Sequence, residues 1–167
     1  MNSKSYSSFI HLLGYIVTAL AVVQLVLMFL PYYSGTMENA EGDIVNITAS
    51  IQSFTWVKFA DFEDYFISVI GKSYHINNYI TGPITTLVLA GLCFWNNVKN
   101  GVDKIVPMLF SLAFGVGGLI CFLLTPLLLY GNMAIYVASL VVMGAVAVLS
   151  VANIVLYFME ARGRIKV

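Results

Sequence analysis

Two histidines, two cysteines and a few carboxylates are the side chains in this sequence best suited to hold a metal or move a proton, and their spacing keeps them apart. A metal centre needs His, Cys, Asp or Glu converging at suitable spacing. His11 stands at the inner edge of the first apolar stretch, His75 lies beyond that stretch's far end, and Cys93 and Cys121 are isolated. There is no zinc spacing, and the Cys-x-x-Cys pair of an intramembrane disulfide oxidoreductase is absent. A hydroxyl nucleophile needs a base beside it, and His75 is the one histidine on the side where Ser, Thr and Asp accumulate. The expectation is a protein with no catalytic residue, no metal, no cofactor and no enzymatic activity. Proton-coupled carriage of the small four-span type would need an acid in the first helix, yet nothing acidic stands between Lys4 and Glu38.

The stretch SIQSFTWVKFADFEDYF at 50–66 offers recognition chemistry instead. It sets aromatic rings beside carboxylates, and Trp56, Phe59, Phe62, Glu63, Asp64 and Phe66 are the candidate partner-binding residues. Two readings are open. The rings form a small core seated at a membrane interface, where Tyr and Trp are enriched, or some of them contact a partner.

These residues must be positioned by elements of unusual composition. Of the 167 residues, 60% are hydrophobic and 10% charged, which places the chain in the membrane class. Crossing a hydrocarbon core of roughly 30 Å takes about 20 helical residues. Residues 9–30, 79–95, 105–129 and 134–158 meet that length without Asp, Glu, Lys or Arg, the second being the shortest and most polar. The first is too long for a secretory signal and reads as a retained anchor. Basic residues mark the cytoplasmic side. The tails at 1–8 and 159–167 and the 96–104 loop hold Lys4, Lys99, Lys104, Arg162, Arg164 and Lys166 against Asp103 and Glu160. The 31–78 segment holds Lys58 and Lys72 against Glu38, Glu41, Asp43, Asp61, Glu63 and Asp64. Both termini are therefore expected inside and 31–78 outside, in a multi-pass protein of the plasma membrane.

Connections are uneven. Asn100-Gly101 marks a short inner loop, and residues 130–133 form a tight outer turn. The 31–78 segment alone is long enough to fold. Ser34 to Gly42 reads as a polar connection. Residues 44–59 read as two short strands and 61–70 as a helix with Asp61 as its N-cap. Asn46-Ile47-Thr48 matches a glycosylation sequon. Pro83 and Pro107 are placed in first helical turns, and Thr125-Pro126 is expected to kink the third span.

Within the bilayer, helices associate through small residues and interhelical hydrogen bonds. Ala138, Ala145 and Ala152 with Gly144 in span four, and Ser111-x-x-x-Gly115 and Ala113-x-x-x-Gly117 in span three, are expected to face one another. Gln24 and Asn153 are the strongest buried polar groups. Their different depths exclude pairing with each other, so each is expected to bond a backbone carbonyl or a nearby hydroxyl, with the lining of a polar cavity as the alternative.

Four spans, inside termini, and a first outer loop of strands, a short helix and Trp56 resemble the layout of claudin-type four-helix membrane proteins. In that family the loop carries a Trp-Gly-Leu-Trp run and two cysteines. Here Trp56 stands in SFTWVKF with no cysteine after it in the loop, and the second outer loop is four residues long, so no residue role transfers. The fold class expected is an all-α membrane protein: an antiparallel four-transmembrane-helix bundle with a small extracellular strand-plus-helix layer. Its expected work is non-enzymatic binding, assembly or accessory function. An oligomeric pore or small-solute carrier is the alternative. Expected partners are the lipid bilayer and another membrane protein or a second copy, not nucleic acid.

Overall fold

The computed structural model describes residues 3–30, 33–38, 42–49, 77–124 and 132–165, and within them the chain is almost entirely helical. Helix α1 is Ser3–Phe29, and strands β1 (Tyr33–Glu38) and β2 (Ile44–Ala49) follow. Helix α2 is Asn77–Asn100. Helices α3 (Ile105–Leu112) and α4 (Gly118–Leu123) are joined into one rod by a π-helical turn, Ala113–Gly117. Helix α5 is Met133–Ile165.

Among the described residues, three helical stretches are long and apolar enough to cross a membrane: Ser7–Phe29, Ile105–Leu123 and Met133–Arg162. A helix suits such sequences because it satisfies its own backbone groups where water cannot. Helix α2, with Asn77, Asn78, Thr81, Thr85, Thr86, Asn96 and Asn97, is more polar and is not among them.

Buried positions repeat at alternating steps of three and four, the 3.5-residue period of left-handed helix packing. On α1 they are Ile10, Gly14, Val17, Ala21, Gln24 and Met28. On α2 they include Thr86, Ala90, Cys93 and Asn97, and on α5 Ser139, Met143, Val146, Ser150 and Asn153. The outward faces carry Val22, Val26, Val88, Val141, Val148 and Val155.

Contacts set the order of the rods. Helix α1 packs along α5 and α2, α2 packs on the α3–α4 rod, and that rod packs on α5. Each neighbouring pair is antiparallel. Asn97 reaches Thr18 near the end where Val102 meets Gly14, and Cys93 meets Ser111 while Leu89 meets Gly117. A Cβ on Gly115 would fall 2.5 Å from the Ala147 backbone nitrogen, and one on Gly118 would fall 2.8 Å from Met143 Sδ. The core between the rods holds Val17, Ala21, Met28, Ala90, Phe114, Phe122, Tyr136 and Met143. Phe122 and Tyr136 stack with ring centroids 5.7 Å apart.

Several expectations are corrected here. Helix α1 begins at Ser3 and α5 runs to Ile165, so each helix is longer than the uncharged stretch it contains. Helix α2 starts at Asn77, so Pro83 lies inside it rather than in its first turn, and its missing N–H removes the donor for the Tyr79 carbonyl. Pro107 is in the first turn of α3, as its type suggests. The Ser34–Gly42 connection is not uniformly loop. Tyr33–Glu38 forms β1, antiparallel to β2 with Thr36 opposite Asn46 of the sequon. Polar Ser34, Gly35 and Thr36 masked the strand, whose pairing comes from β2 rather than from its own periodicity. Gly42, just before β2, has φ +86°, a conformation favouring glycine. The strand expected beyond Ala49, the helix at 61–70 and the Thr125-Pro126 kink lie outside the described residues.

At the other end of the rods, Gly101 (φ +87°) ends α2 with its N–H on the Asn97 carbonyl at 3.2 Å. At the opposite end from Gly101, Asn132 caps α5: its Oδ1 accepts from Ala134 N–H at 3.1 Å and Ile135 N–H at 3.4 Å. Asn132→Ala is expected to lower stability by about 1 kcal/mol, measured as a downward shift of the thermal midpoint in detergent. An unchanged midpoint would mean the cap carries no weight.

Candidate functional site

Seven polar side chains of the rods turn inward. Gln24, Thr86, Asn97, Ser111, Ser139, Ser150 and Asn153 are all buried. They divide into a bonded group and an unbonded one.

The bonded group lies toward the end that carries Ser3 and Ile165. Thr18 donates its hydroxyl proton to the Gly14 carbonyl at 2.8 Å, and Ser111 donates to the Pro107 carbonyl at 2.9 Å. With those protons committed, both hydroxyl oxygens are acceptors, and the Asn97 amide donates to Thr18 Oγ1 at 2.9 Å and to Ser111 Oγ at 3.4 Å. The Cys93 thiol sits 3.4 Å from the same Ser111 oxygen and becomes the donor there. Three rods are tied together at one level by neutral groups. Each such bond is worth roughly 1 kcal/mol within a membrane.

The unbonded group has no partner among the described protein atoms: both polar atoms of Gln24, the hydroxyls of Thr86, Ser139 and Ser150, and Asn153 Oδ1. Gln24 is 0% exposed and Asn153 3%. The expectation that each bonds a backbone carbonyl or a neighbouring hydroxyl fails for Gln24 and for the Asn153 oxygen. The reason is local for Gln24, whose adjacent positions in the three-four repeat are Ala21 and Met28, neither with an amide or hydroxyl; Asn153 has Ser150 and Tyr157 there, yet its oxygen takes a proton from neither. Leaving a buried polar group unmatched costs on the order of 1–3 kcal/mol. Gln24→Leu is therefore expected to keep or raise the thermal midpoint, and a clear fall would reveal a partner for the amide.

Of the small residues singled out, Gly115 and Gly117 stand at helix contacts, with partners the spacings did not name. Gly115 lies against Ala147 and Gly118 against Met143, while Gly117 faces Leu89 of α2. Ala113 is exposed, Ala138, Ala145 and Ala152 are half-buried, and Gly144 has nothing within 4 Å of where its Cβ would be. The π turn shifts the phase of the rod, which no count of four-residue spacings anticipates.

Among the chemically able side chains, His11 is half-buried and stacked on Tyr15 with centroids 6.4 Å apart. Cys93 and Cys121 are not joined in a disulfide, the first being buried and the second half-buried. Trp56, Phe59, Phe62, Glu63, Asp64 and Phe66 lie outside the described residues. Asn97, Thr86, Ser139 and Ser150 were not singled out by type, and Ser111 was named only for its small size. The signal that could have found them is the shared 3.5-residue spacing of Thr86, Ala90, Cys93 and Asn97 on α2 and of Ser139, Met143, Val146, Ser150 and Asn153 on α5.

No protein-family model, no curated protein and no solved structure matches this chain.

Proposed function

We propose that this is a four-span integral membrane protein, with α2 as the fourth span, whose work is non-enzymatic binding, assembly or accessory function in a membrane complex. The observation that carries the membrane part is the sorting of side chains on the rods: polar groups face inward and branched apolar side chains face outward, as hydrocarbon requires. Helix α2 is less apolar because Thr86 and Asn97 are turned to the interior, which leaves its outward Ile84, Val88, Leu92 and Trp95 to the lipid. The binding part is supported by the sequence of the outer segment, where Trp56, Phe59, Phe62 and Phe66 combine with Glu63 and Asp64. Aromatic residues supply large contact area, and the acids favour a basic partner.

The proposed orientation puts both termini in the cytoplasm. Single cysteines placed as Asn39→Cys and Arg164→Cys, in a background lacking Cys93 and Cys121, are expected to label with an impermeant reagent in intact cells at position 39 only. Labelling confined to position 164 reverses the orientation. For the binding role, purification in mild detergent is expected to bring down a membrane partner that is lost from Trp56→Ala or weakened in Glu63→Gln/Asp64→Asn, the latter more at low salt than at high. A partner retained by all of these variants would remove the outer segment from the interface.

A second reading, a pore or carrier for small solutes, is favoured by one observation. Gln24, Thr86, Ser139, Ser150 and Asn153 present unbonded polar atoms to the interior. In that case Gln24→Leu or Asn153→Leu abolishes solute flux in vesicles while leaving the folded protein intact.

A further inference from the structure

One helical turn from the unbonded groups of α5, toward the termini, that helix borders an opening. A cleft of about 210 Å³ lies between the start of α1, the α2–α3 turn and the end of α5, lined by Ser7, Ile10, Asp103, Lys104, Tyr157 and Glu160. Asn153 stands one helical turn above Tyr157 on α5, and Ser150 one turn beyond that. Asn153 is 3% exposed and Ser150 1%, and neither the Asn153 oxygen nor the Ser150 hydroxyl has a protein partner.

These two groups share a level with the bonded cluster. Gly115 lies against Ala147, and the two rods run antiparallel. Ser111, one turn before Gly115, therefore comes level with Ser150 and Val151, one turn after Ala147. Ser111 is itself joined to Cys93 and Asn97, and Asn97 to Thr18. All four rods thus bring buried or half-buried polar side chains to one zone. The Ser150 hydroxyl and the Asn153 oxygen make no hydrogen bond to the rest. A bridging molecule would give such unmatched groups the partner they lack.

We propose that the cleft is the mouth of a binding site for small uncharged hydrogen-bonding molecules, water foremost, held between Ser150 and Asn153 on one side and Asn97, Ser111 and Cys93 on the other. The inference does not depend on whether the outer segment docks a partner. The chemistry selects against ions. Asp103, Lys104 and Glu160 carry charge only at the mouth, whereas the groups beyond are amides, hydroxyls and a thiol. An ion passing inward would exchange its hydration for neutral dipoles at high cost. A cleft of 210 Å³ also has room for several waters, each filling about 30 Å³ of liquid volume.

Cys93 is a built-in reporter, since its thiol donates into this cluster and Cys121 can be removed. The full chain carrying Cys121→Ser, in detergent micelles, is transferred into D2O and the S–H infrared band of Cys93 is followed. The band is expected to convert to S–D well before the backbone amides of the helix centres exchange. Asn153→Leu, which fills the passage with an apolar side chain, is expected to slow that conversion by about tenfold, the factor equivalent to ~1.4 kcal/mol, with the thermal midpoint held or raised. Ser150→Val serves the same purpose if Asn153→Leu does not accumulate as folded protein. A thiol that exchanges only in step with the helix-centre amides overturns the site. So does a rate untouched by both replacements, since water would then reach Cys93 by another route.

Discussion

Replacing Phe122 with alanine is expected to cost about 3–5 kcal/mol, the usual penalty for removing a fully buried phenylalanine. The ring is 0% exposed, stacks on Tyr136, and belongs to the same core as Met28 and Phe114. Close packing is the attraction available between helices whose outer surroundings are as apolar as their side chains, so the vacated space is not refilled cheaply. Denaturant titration in mixed micelles measures the loss, with Leu123→Ala as the control. Leu123 is next in sequence but 56% exposed, so its truncation should change little. Equal losses for the two variants would mean that the end of α4 is turned differently from the arrangement described.

Gly115→Ala is expected to destabilise by about 1–3 kcal/mol, the range for overfilling a packed site. Its added methyl would meet Ala147 backbone nitrogen at 2.5 Å and Cα at 2.7 Å, and backbone cannot swing aside as a side-chain tip can. The α3–α4 rod and α5 must move apart. Gly144→Ala is the matched control, with nothing within 4 Å of the new carbon. It should be neutral or stabilising by up to about 1 kcal/mol, because alanine is the better helix former. If both substitutions are tolerated alike, α5 does not approach the rod through Gly115.

The contrast between these two glycines marks the limit of what residue types disclose. Long uncharged runs such as AVVQLVLMF and LVVMGAVAVL leave little choice but membrane helix, and α1, the α3–α4 rod and α5 are legible from them. Which side of each helix is inward is legible only in part. Gln24 and Asn153 stand out because they interrupt apolar runs, but Thr86, Ser111, Ser139 and Ser150 are ordinary residues for such a helix until their 3.5-residue spacing is set against that of their neighbours. That they share a level depends on antiparallel pairing across residues far apart in sequence, such as Asn97 with Thr18. Local propensity contains no record of that. Strand β1 was hidden for a similar reason. Tyr33–Glu38 has no strand pattern of its own and is defined by facing Ile44–Ala49.

The π turn at Ala113–Gly117 has a consequence for how this sequence can change length. A π turn holds one residue more than the α-helical path needs, so losing a single residue there, for instance the lipid-facing Val116, would let the rod relax into uninterrupted α-helix. The segment after it would keep its facing relative to Ile105–Leu112, because the surplus residue is what the wider turn absorbs. Phe122 would stay in the core and Gly118 against Met143. The turn thus acts as a spare letter in a text read by frame. A deletion one residue long is absorbed there, while the same deletion elsewhere in the rod would swing everything beyond it by about 100°, one residue's share of a 3.6-residue turn.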